Sequence, residues 1–556
     1  MLHLLRFLLF LIAVQPLTIW AAEPRPPAAG IASAHPLATQ AGHEVLARGG
    51  NAFDAAVAVA AALAVVEPYN SGLGGGGFFL LHRARDGFEI MIDARERAPL
   101  AATRDMYLNR AGRPVPGLSI DGALAAGIPG IPAGLTHLAE KYGKLPLKQS
   151  LAPAIRLARD GFPVTLQYGK MTLRQHDRLE NFPETARVFF HNGFIYGTGE
   201  KLRQPDLART FDRLAAKGRE GFYRGDIARR LVDGVRAAGG IWSLKDLAGY
   251  RVIEREPVRG VYRNVRITSA PLPSSGGIVL TEMLNILQGF DLDSIDKTRR
   301  DQTIIEAMRL AYRDRARYLG DPDFVHVDVP RLIDPAYAAT LRGEIRDRQK
   351  SPVMAPAKAA GEGANTTHFS VIDRDGNRVA ATLSLNTPFG SGFMPPGTGV
   401  VLNNEMDDFA VKPDAPNNYG LVGSDANAIA PGKRPLSSMT PTFLENDDMV
   451  VVLGTPGGSR IISMVLLATL EFAHGRGGPM EWVSLPRFHH QYLPDIVAHE
   501  PRAFDDAETR ILEQRGYRLE AVRGGYGNMQ LVTWYKKTGR VEAVSDPRGE
   551  GLGLVK

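Results

Sequence analysis

The tetrapeptide Asn365-Thr366-Thr367-His368 could carry out nucleophilic chemistry if the chain were cut inside it. A threonine at a chain N-terminus holds a nucleophile and a base in one residue, because its hydroxyl attacks while its own α-amine takes the proton. The ordinary pKa of such an amine is about 8, so a useful fraction is neutral near neutral pH. That amine exists only after the Asn365–Thr366 bond is cleaved. Threonines entering a strand also satisfy ordinary β-propensity, so the spacing alone leaves both interpretations open.

The residues that follow favour the chemical interpretation. Ser384 and Asn386 are two apart in a predicted strand, which puts both side chains on one face of a sheet. The polar runs NNEMDDF and KRPLSSM come next and contain four further candidates: Glu405, Asp408, Ser437 and Ser438.

The pair Gly457-Gly458 lies between an apolar strand pattern and an apolar helix pattern. Backbone N–H groups at a glycine-rich helix N-terminus can hold a developing oxyanion. A tight turn from strand to helix accounts for the same two glycines, and their spacing alone favours that structural role.

These candidates need a framework of strands and helices from both halves of the chain. Residues 351–364 are rich in Pro, Ala and Gly and are typical of a mobile linker. Hairpins are predicted around Asp375-Gly376 and Asp86-Gly87. Residues 55–66 are apolar on every face, which indicates a buried core helix. We therefore expect an α/β protein with helices covering sheets. Further strands are predicted at 449–455, 529–535 and 540–545, and a helix after Gly458.

The composition excludes several classes of function. Basic and acidic residues are interleaved and the formal net charge is only +6, so no basic stripe of the kind that binds nucleic acid is present. The absence of cysteine excludes disulfides, thiolate nucleophiles and thiolate metal sites. Adjacent His489 and His490 lack a nearby carboxylate cluster and make a poor ligand set, so we expect no metal site.

The first residues are typical of a signal peptide. Arg6 precedes the apolar run FLLFLIAV, and the small residues Ala21 and Ala22 follow. An uncleaved membrane anchor is the alternative, but the run is shorter than the roughly 20 residues that a spanning helix needs. We expect a signal peptide over residues 1–22 and a secreted or periplasmic protein.

Nine motifs, taken in order, carry a resemblance to the γ-glutamyltranspeptidases that covers nearly the whole chain after the signal. One such motif could occur by chance, but nine in order are specific. The motifs are GGNAFDAAVA, SGLGGGGFFL, DARERAP, TTHFSVIDRDGN, LNTPFGSG, LNNEMDDF, KRPLSSMTPT, GTPGGSRII and PRFHHQYLPD.

The resemblance implies a fold, a processing step and an activity. The fold is that of the N-terminal-nucleophile hydrolases, a four-layer αββα sandwich. Cleavage between Asn365 and Thr366 would give a large subunit (23–365) and a small subunit (366–556) that stay together as a heterodimer around one core. Thr366 would then form a γ-glutamyl ester from glutathione or related compounds and pass it to water or to an amino acid or peptide acceptor. This chemistry requires no cofactor.

The resemblance also assigns roles to individual residues. Gly457 and Gly458 match the oxyanion-hole glycines. Arg95 matches the group that binds the substrate α-carboxylate, assisted by Ser437 and Ser438, and the planar fork of an arginine suits a carboxylate.

The opposite end of the substrate is assigned to a second set of residues. Asn386, Glu405 and Asp408 match the α-ammonium site, since an ammonium needs acceptors and negative charge. Ser384 stands where many relatives carry threonine, and Thr367 is a similar candidate for a supporting hydrogen bond. Tyr419 matches the aromatic residue of a flap that covers the pocket.

Two alternatives remain beside a γ-glutamyltransferase and glutathione hydrolase. One is a glutaryl or cephalosporin-type acylase of the same fold, against which the two carboxylates Glu405 and Asp408 argue. The other is a non-catalytic γ-glutamyl-binding protein, against which the intact Asn365-Thr366 pair argues. Some members of the family use poly-γ-glutamate and cell-wall amines, and the sequence leaves such acceptors open.

Overall fold

The computed structural model describes residues 25–345 and 365–556. The expected signal peptide (1–22) and the expected linker (351–364) therefore lie outside the described residues. No helix in the described part of the chain is long and apolar enough to cross a membrane.

Strands occur in both halves of the described chain. They are β1 (Gly30–Ser33), β2 (Gly76–Arg83), β3 (Phe88–Asp93), β4 (Phe162–Pro163), β5 (Phe190–His191), β6 (Phe194–Ile195), β7 (Lys201–Leu202), β8 (Ile253–Arg255), β9 (Val258–Tyr262), β10 (Val265–Ser269), β11 (Thr366–Ile372), β12 (Arg378–Ser384), β13 (Thr442–Glu445), β14 (Met449–Gly454), β15 (Phe488–His489), β16 (Val497–His499), β17 (Leu519–Ala521), β18 (Gln530–Tyr535), β19 (Val541–Ser545) and β20 (Leu552–Val555).

Most of the helices precede Thr366. They are α1 (Pro36–Ala47), α2 (Ala52–Val66), α3 (Ile131–Lys141), α4 (Leu147–Asp160), α5 (Leu166–Arg174), α6 (His176–Glu180), α7 (Pro183–Phe189), α8 (Pro205–Lys217), α9 (Glu220–Tyr223), α10 (Gly225–Ala237), α11 (Leu244–Gly249), α12 (Gly276–Leu287), α13 (Lys297–Tyr318), α14 (Val329–Leu332), α15 (Pro335–Arg342), α16 (Ile461–Ala473), α17 (Pro479–Ser484) and α18 (Asp506–Gln514).

Two large sheets form the centre of the molecule. The first has the strand order β20-β1-β11-β12-β2-β3-β8, and the second has the order β19-β18-β14-β13-β10-β9. Each sheet contains strands from before and after Thr366, so neither part of the chain builds a sheet alone. The nucleophile candidate begins β11, near the middle of the first sheet.

Side-chain alternation along the strands creates the layers. In β2, Phe78 and Leu80 face the second sheet, whereas Phe79 and Leu81 belong to the core beneath α1, α2 and α4. In β14, Val450 and Val452 share the core between the sheets, and the alternate residues pack with α12, α13 and α16. Both faces of each sheet are thus covered by apolar residues. This arrangement is the four-layer αββα sandwich that the sequence predicts.

The helix α2 supports the first sheet. All of its residues are buried, as the apolar pattern predicts. Its N-cap is Asn51, whose side chain accepts from the Phe53 and Asp54 N–H groups, while the Asp54 carboxylate accepts from the Asn51 N–H. Asp54 therefore forms the second half of a capping box.

The hairpins occur at the predicted turns. β11 and β12 pair in antiparallel register around the turn at Asp375-Gly376, which sets Thr366 opposite Ser384. β2 and β3 pair around Gly87, which has a φ of 66°. The three strands predicted between 449 and 545 correspond to β14, β18 and β19, and α16 follows a short 3₁₀ turn (Gly458–Arg460).

Candidate active site

The Thr366 hydroxyl lies beside the peptide bond that is expected to be cut. Thr366 is buried at the first position of β11 and is joined to Asn365 in the described chain. Its Oγ1 lies 3.1 Å from the Ser384 Oγ, which donates to the Asn365 carbonyl oxygen at 3.0 Å. The Asn386 N–H donates to the same Ser384 Oγ at 2.8 Å. Ser384 therefore connects the nucleophile candidate with the carbonyl that it would attack.

The glycine run 74–77 allows close approach behind this group. A Cβ on Gly75 would lie 2.0 Å from the Ser384 carbonyl oxygen, and one on Gly77 would lie 2.3 Å from the Thr382 carbonyl oxygen. Any side chain at these positions would push β2 away from the end of β12.

Thr367 points away from the cleft that Thr366 lines. Its Oγ1 donates to Glu67 Oε2 at 2.8 Å. Glu67 is buried at the end of α2, and burial raises its pKa to about 7 while the Thr367 hydrogen bond opposes the rise. Glu67 was not among the candidate site residues of the sequence. The structure makes it a contact between the first helical layer and β11.

Arg95 lies at the centre of a buried ionic cluster. Its Nη1 is 2.7 Å from Glu405 Oε2, its Nη2 is 2.5 Å from Asp408 Oδ2, and its Nε donates to the Pro435 carbonyl oxygen at 3.2 Å. The resemblance assigned Arg95 and the two carboxylates to opposite ends of a substrate. The structure pairs them directly with one another.

The carboxyl groups around Arg95 outnumber it. Glu96 Oε2 is 3.6 Å from Arg95 Nη1 and adds a third acid to Glu405 and Asp408. Burial raises the pKa of both Glu96 and Glu405, and the charge of Arg95 opposes the rise. Although Glu405 is close to Arg95, neither of its oxygens accepts an aligned hydrogen bond from the described residues. Glu405 is therefore a buried acceptor suited to a further N–H donor.

The segment predicted to be a flap contributes Tyr419 to the lining of the cleft. Tyr419 is buried, and its hydroxyl donates to the Asn386 carbonyl oxygen. Gln491, which sequence reasoning did not identify, holds this segment to the neighbouring turn. Its Nε2 donates to the Tyr419 carbonyl oxygen at 3.0 Å, and its Oε1 accepts from the Ser459 hydroxyl at 2.7 Å.

The two glycines of the turn before α16 have backbone angles that favour glycine. Gly457 has a φ of 146° and Gly458 a φ of 58°. Within residues 25–345 and 365–556, neither N–H group donates a hydrogen bond. Gly458 lines the cleft with Thr366, whereas Gly457 lies behind it, against Met464.

The adjacent histidines have structural contacts. His489 contacts the Ser463 hydroxyl at 2.6 Å and Gln491 Oε1 at 3.0 Å. His490 Nε2 lies 3.0 Å from Asp495 Oδ1. Both imidazole side chains are therefore engaged in hydrogen bonds within the protein.

One cleft brings most of the predicted site residues together. Asn365, Thr367 and Gly457 are outside its lining. Arg315 of α13, which the sequence did not single out, is part of it. A signal existed, because Arg315 follows Met308 and Ala311 at helical spacing on the buried face. The predicted residues that line the cleft are Arg95, Thr366, Ser384, Asn386, Glu405, Asp408, Tyr419, Ser437, Ser438 and Gly458.

Comparison with known proteins agrees with the resemblance. The family model described as gamma-glutamyltranspeptidase matches residues 38–555. A glutathione hydrolase proenzyme of Pseudomonas sp. (strain A14) is 44% identical, covering 88% of this chain and 86% of the relative. Another from Escherichia coli (strain K12) is 42% identical, covering 93% and 90%. The structure of cephalosporin acylase from Bacillus halodurans has a TM-score of 0.84 at 29% identity, covering 98% of this chain and 99% of that one.

Proposed function

This chain belongs to the γ-glutamyltranspeptidase family, and on that premise we propose that it is a γ-glutamyltransferase and glutathione hydrolase made as a proenzyme. The observation that carries the proposal is the placement of Ser384 between the Thr366 hydroxyl and the Asn365 carbonyl oxygen. That geometry is suited to self-cleavage at Asn365–Thr366 and then to catalysis by the threonine that cleavage exposes.

Self-cleavage converts the peptide bond into an ester and then into two chain ends. The Thr366 Oγ attacks the Asn365 carbonyl carbon while Ser384 donates a hydrogen bond to the carbonyl oxygen. The C–N bond breaks, the Thr366 nitrogen takes a proton, and an Asn365 ester remains on the Thr366 oxygen. Water opens this ester to give the Asn365 carboxylate and a free Thr366 hydroxyl and amine.

Turnover repeats the same chemistry on a γ-glutamyl amide. The freed α-amine of Thr366 takes the proton as the hydroxyl attacks the γ-carbonyl, and the leaving amine departs with a proton. The N–H groups of Gly457 and Gly458 are proposed to hold the oxyanion. This role is supported because neither N–H donates a hydrogen bond to any of the described residues. One oxyanion donor in such sites contributes on the order of 3 kcal/mol. Water or an acceptor amine then releases the γ-glutamyl group.

Recognition of the donor uses both signs of charge in the cleft. Glu405, Asp408 and Asn386 are proposed to accept from the α-ammonium, and the lack of an aligned donor to Glu405 supports this role. Arg95, Ser437 and Ser438 are proposed to bind the α-carboxylate. Arg95 already pairs with both carboxylates. On binding, the α-carboxylate of the donor would take their place beside Arg95, and the α-ammonium would take the place of Arg95 beside Glu405 and Asp408.

The two products of cleavage are proposed to remain together as a heterodimer. The interleaving of strands from both parts in each sheet supports this, since separation would break both sheets. We also propose export directed by residues 1–22, with glutathione, other γ-glutamyl compounds and amino acid or peptide acceptors as the partners.

One set of measurements on the purified protein tests these proposals. We expect two bands on a denaturing gel, with the small chain beginning at Thr366 and the large chain beginning after the signal peptide. The Thr366→Ala variant should give one band and no γ-glutamyl anilide hydrolysis. An active wild type that runs as a single full-length band would overturn the mechanism.

The structural likeness to an acylase makes the choice of donor a necessary comparison. A glutaryl anilide keeps the carboxylate and lacks the α-amine. We expect the γ-glutamyl anilide to be preferred, because Glu405 and Asp408 can accept hydrogen bonds from its α-ammonium. Preference for the glutaryl anilide would assign this chain to the acylases, and binding of γ-glutamyl compounds without hydrolysis would identify a binding protein.

A further inference from the structure

Arg315 is a buried cation that the proposed roles leave unused. It lies on the inner face of α13, is 5% exposed and lines the cleft with Thr366. Its Nε donates to the Ser275 Oγ at 3.0 Å, and its Nη2 donates to the Ser438 Oγ at 3.1 Å. Ser438 is one of the residues expected to bind the α-carboxylate of the donor.

The charge of Arg315 is not neutralised by a direct partner. Within the described ranges 25–345 and 365–556, its hydrogen bonds go to two hydroxyls, and no carboxylate oxygen lies within 4.0 Å. Arg95 differs, because it pairs with Glu405 and Asp408. Burial lowers the pKa of Arg315, and Tyr312 and Asp408 oppose this from a distance. A desolvated cation without a counter-charge is costly, so an anion entering the cleft would be favoured there.

The hydrogen bonds of Arg315 also fix the direction of nearby hydroxyls. A guanidinium only donates, so the Ser275 and Ser438 oxygens must accept from it. The Ser275 hydroxyl in turn donates to the Ser437 carbonyl oxygen at 2.8 Å. The hydroxyl proton of Ser438 is left to donate elsewhere, and Ser438 lines the cleft. Arg315 thus holds the Ser437-Ser438 segment at two points and directs one hydroxyl.

We propose that Arg315 is a positioning residue for the α-carboxylate of the γ-glutamyl donor. It turns the Ser438 hydroxyl into a donor toward that carboxylate and supplies the positive charge that balances it. Arg95 is shared with Glu405 and Asp408, whereas Arg315 pairs with no carboxylate of the described residues. The inference rests on the proposed function and adds a second cation to the same site.

The test compares Arg315→Gln, Arg315→Lys and the control Arg317→Gln as processed enzymes. Arg317 is exposed on the same helix, so its variant controls for loss of a helical charge. For γ-glutamyl anilide, Arg315→Gln should raise KM about 10- to 100-fold, the range for losing a hydrogen bond to a charged group. Its kcat should change less than about 3-fold. Arg315→Lys keeps the charge, so its KM should lie between those of wild type and Arg315→Gln. The KM and kcat of Arg317→Gln should match those of wild type.

A double-mutant cycle with Ser438→Ala separates positioning from a general structural effect. If Arg315 acts through Ser438, the KM of the combined variant should be no more than about 3-fold above that of the worse single variant. If the two residues acted independently, the fold-increases in KM of the single variants would multiply. A lower kcat with unchanged KM in Arg315→Gln would overturn the proposal. Fully multiplicative effects on KM in the combined variant would overturn it as well. So would failure of both Arg315 variants to process into two chains. A wild type without activity would overturn the proposed function itself. An active wild type together with an Arg315→Gln variant of unchanged KM would overturn only the role proposed for Arg315.

Discussion

Ser384 joins the two groups that self-cleavage must bring together. Its hydroxyl donates to the Asn365 carbonyl oxygen and lies within hydrogen-bonding distance of the Thr366 hydroxyl. The Asn386 N–H fixes the oxygen from a third direction. A single hydroxyl therefore polarises the bond to be cut and orients the attacking group. A serine suffices at this position because only the hydroxyl takes part in these contacts.

Replacing Ser384 by Ala should slow self-cleavage by about 100-fold, since one hydrogen-bond donor to a developing oxyanion is lost. The measurement is the time course of the two bands on a denaturing gel after synthesis of the full chain. Ser384→Thr keeps the hydroxyl and is the matched control, expected to stay within about 10-fold of wild type. Cleavage of Ser384→Ala at the wild-type rate would remove this role.

At the scale of elements, the turn between β14 and α16 and the flap that holds Tyr419 fit as one unit. Gly458 has a positive φ, and a Cβ there would lie 2.5 Å from a ring carbon of Tyr419. Gln491 links the two segments through Tyr419 and Ser459. The geometry of the proposed oxyanion site therefore depends on the closed position of the flap.

Gly458→Ala should lower kcat/KM for γ-glutamyl anilide by about 100-fold, because the added methyl group displaces either the turn or Tyr419. Gly112→Ala is the matched control, since Gly112 has a φ of 66° with nothing within 4 Å of a Cβ. Both variants incur backbone strain, but only the first meets the flap. Equal, small effects of the two substitutions on kcat/KM would contradict the coupling of turn and flap.

At the scale of the whole molecule, the first helical layer reaches the nucleophile strand through a buried acid. Glu67 at the end of α2 accepts from Thr367, the neighbour of Thr366. Because the α2 core helix and β11 are separated by most of the chain length, this contact connects two distant parts of the fold. Burial raises the pKa of Glu67, so this buried acid also makes stability depend on pH.

The sign of this dependence follows from proton linkage. A carboxyl whose pKa is higher when folded binds its proton more tightly in the folded state. The contribution of Glu67 is therefore fully present below its ordinary pKa of 4.5 and is lost as the pH rises through about 7. The free energy of unfolding of wild type relative to Glu67→Gln should fall by about 3 kcal/mol between pH 4 and pH 8. Denaturant titrations at several pH values measure it. The exposed Glu140→Gln is the matched control for loss of a surface carboxylate. Parallel curves for wild type and Glu67→Gln would contradict the prediction.

Local patterns were enough to predict much of the framework. The hairpin β11–β12, the strands β14 and β18 and the buried helix α2 occur where periodicity and turn residues indicated them. The glycine run 74–77, part of the motif SGLGGGGFFL, packs closely against neighbouring backbone. The sequence did not decide the N-cap of α2, because Asn51 and Asp54 are both residue types that cap helices and the backbone angles distinguish them.

The sequence by itself determined the family, the four-layer fold and a nucleophile candidate at Thr366, because ordered motifs and local periodicity carry that information. Only the tertiary structure decided which charges meet: Arg95 pairs with Glu405 and Asp408, Arg315 reaches Ser438, and Glu67 reaches Thr367. Each of these contacts joins residues that lie far apart in the chain. Helical and strand periodicity states which face of an element is buried, but the partner on the opposing layer depends on how the layers pack.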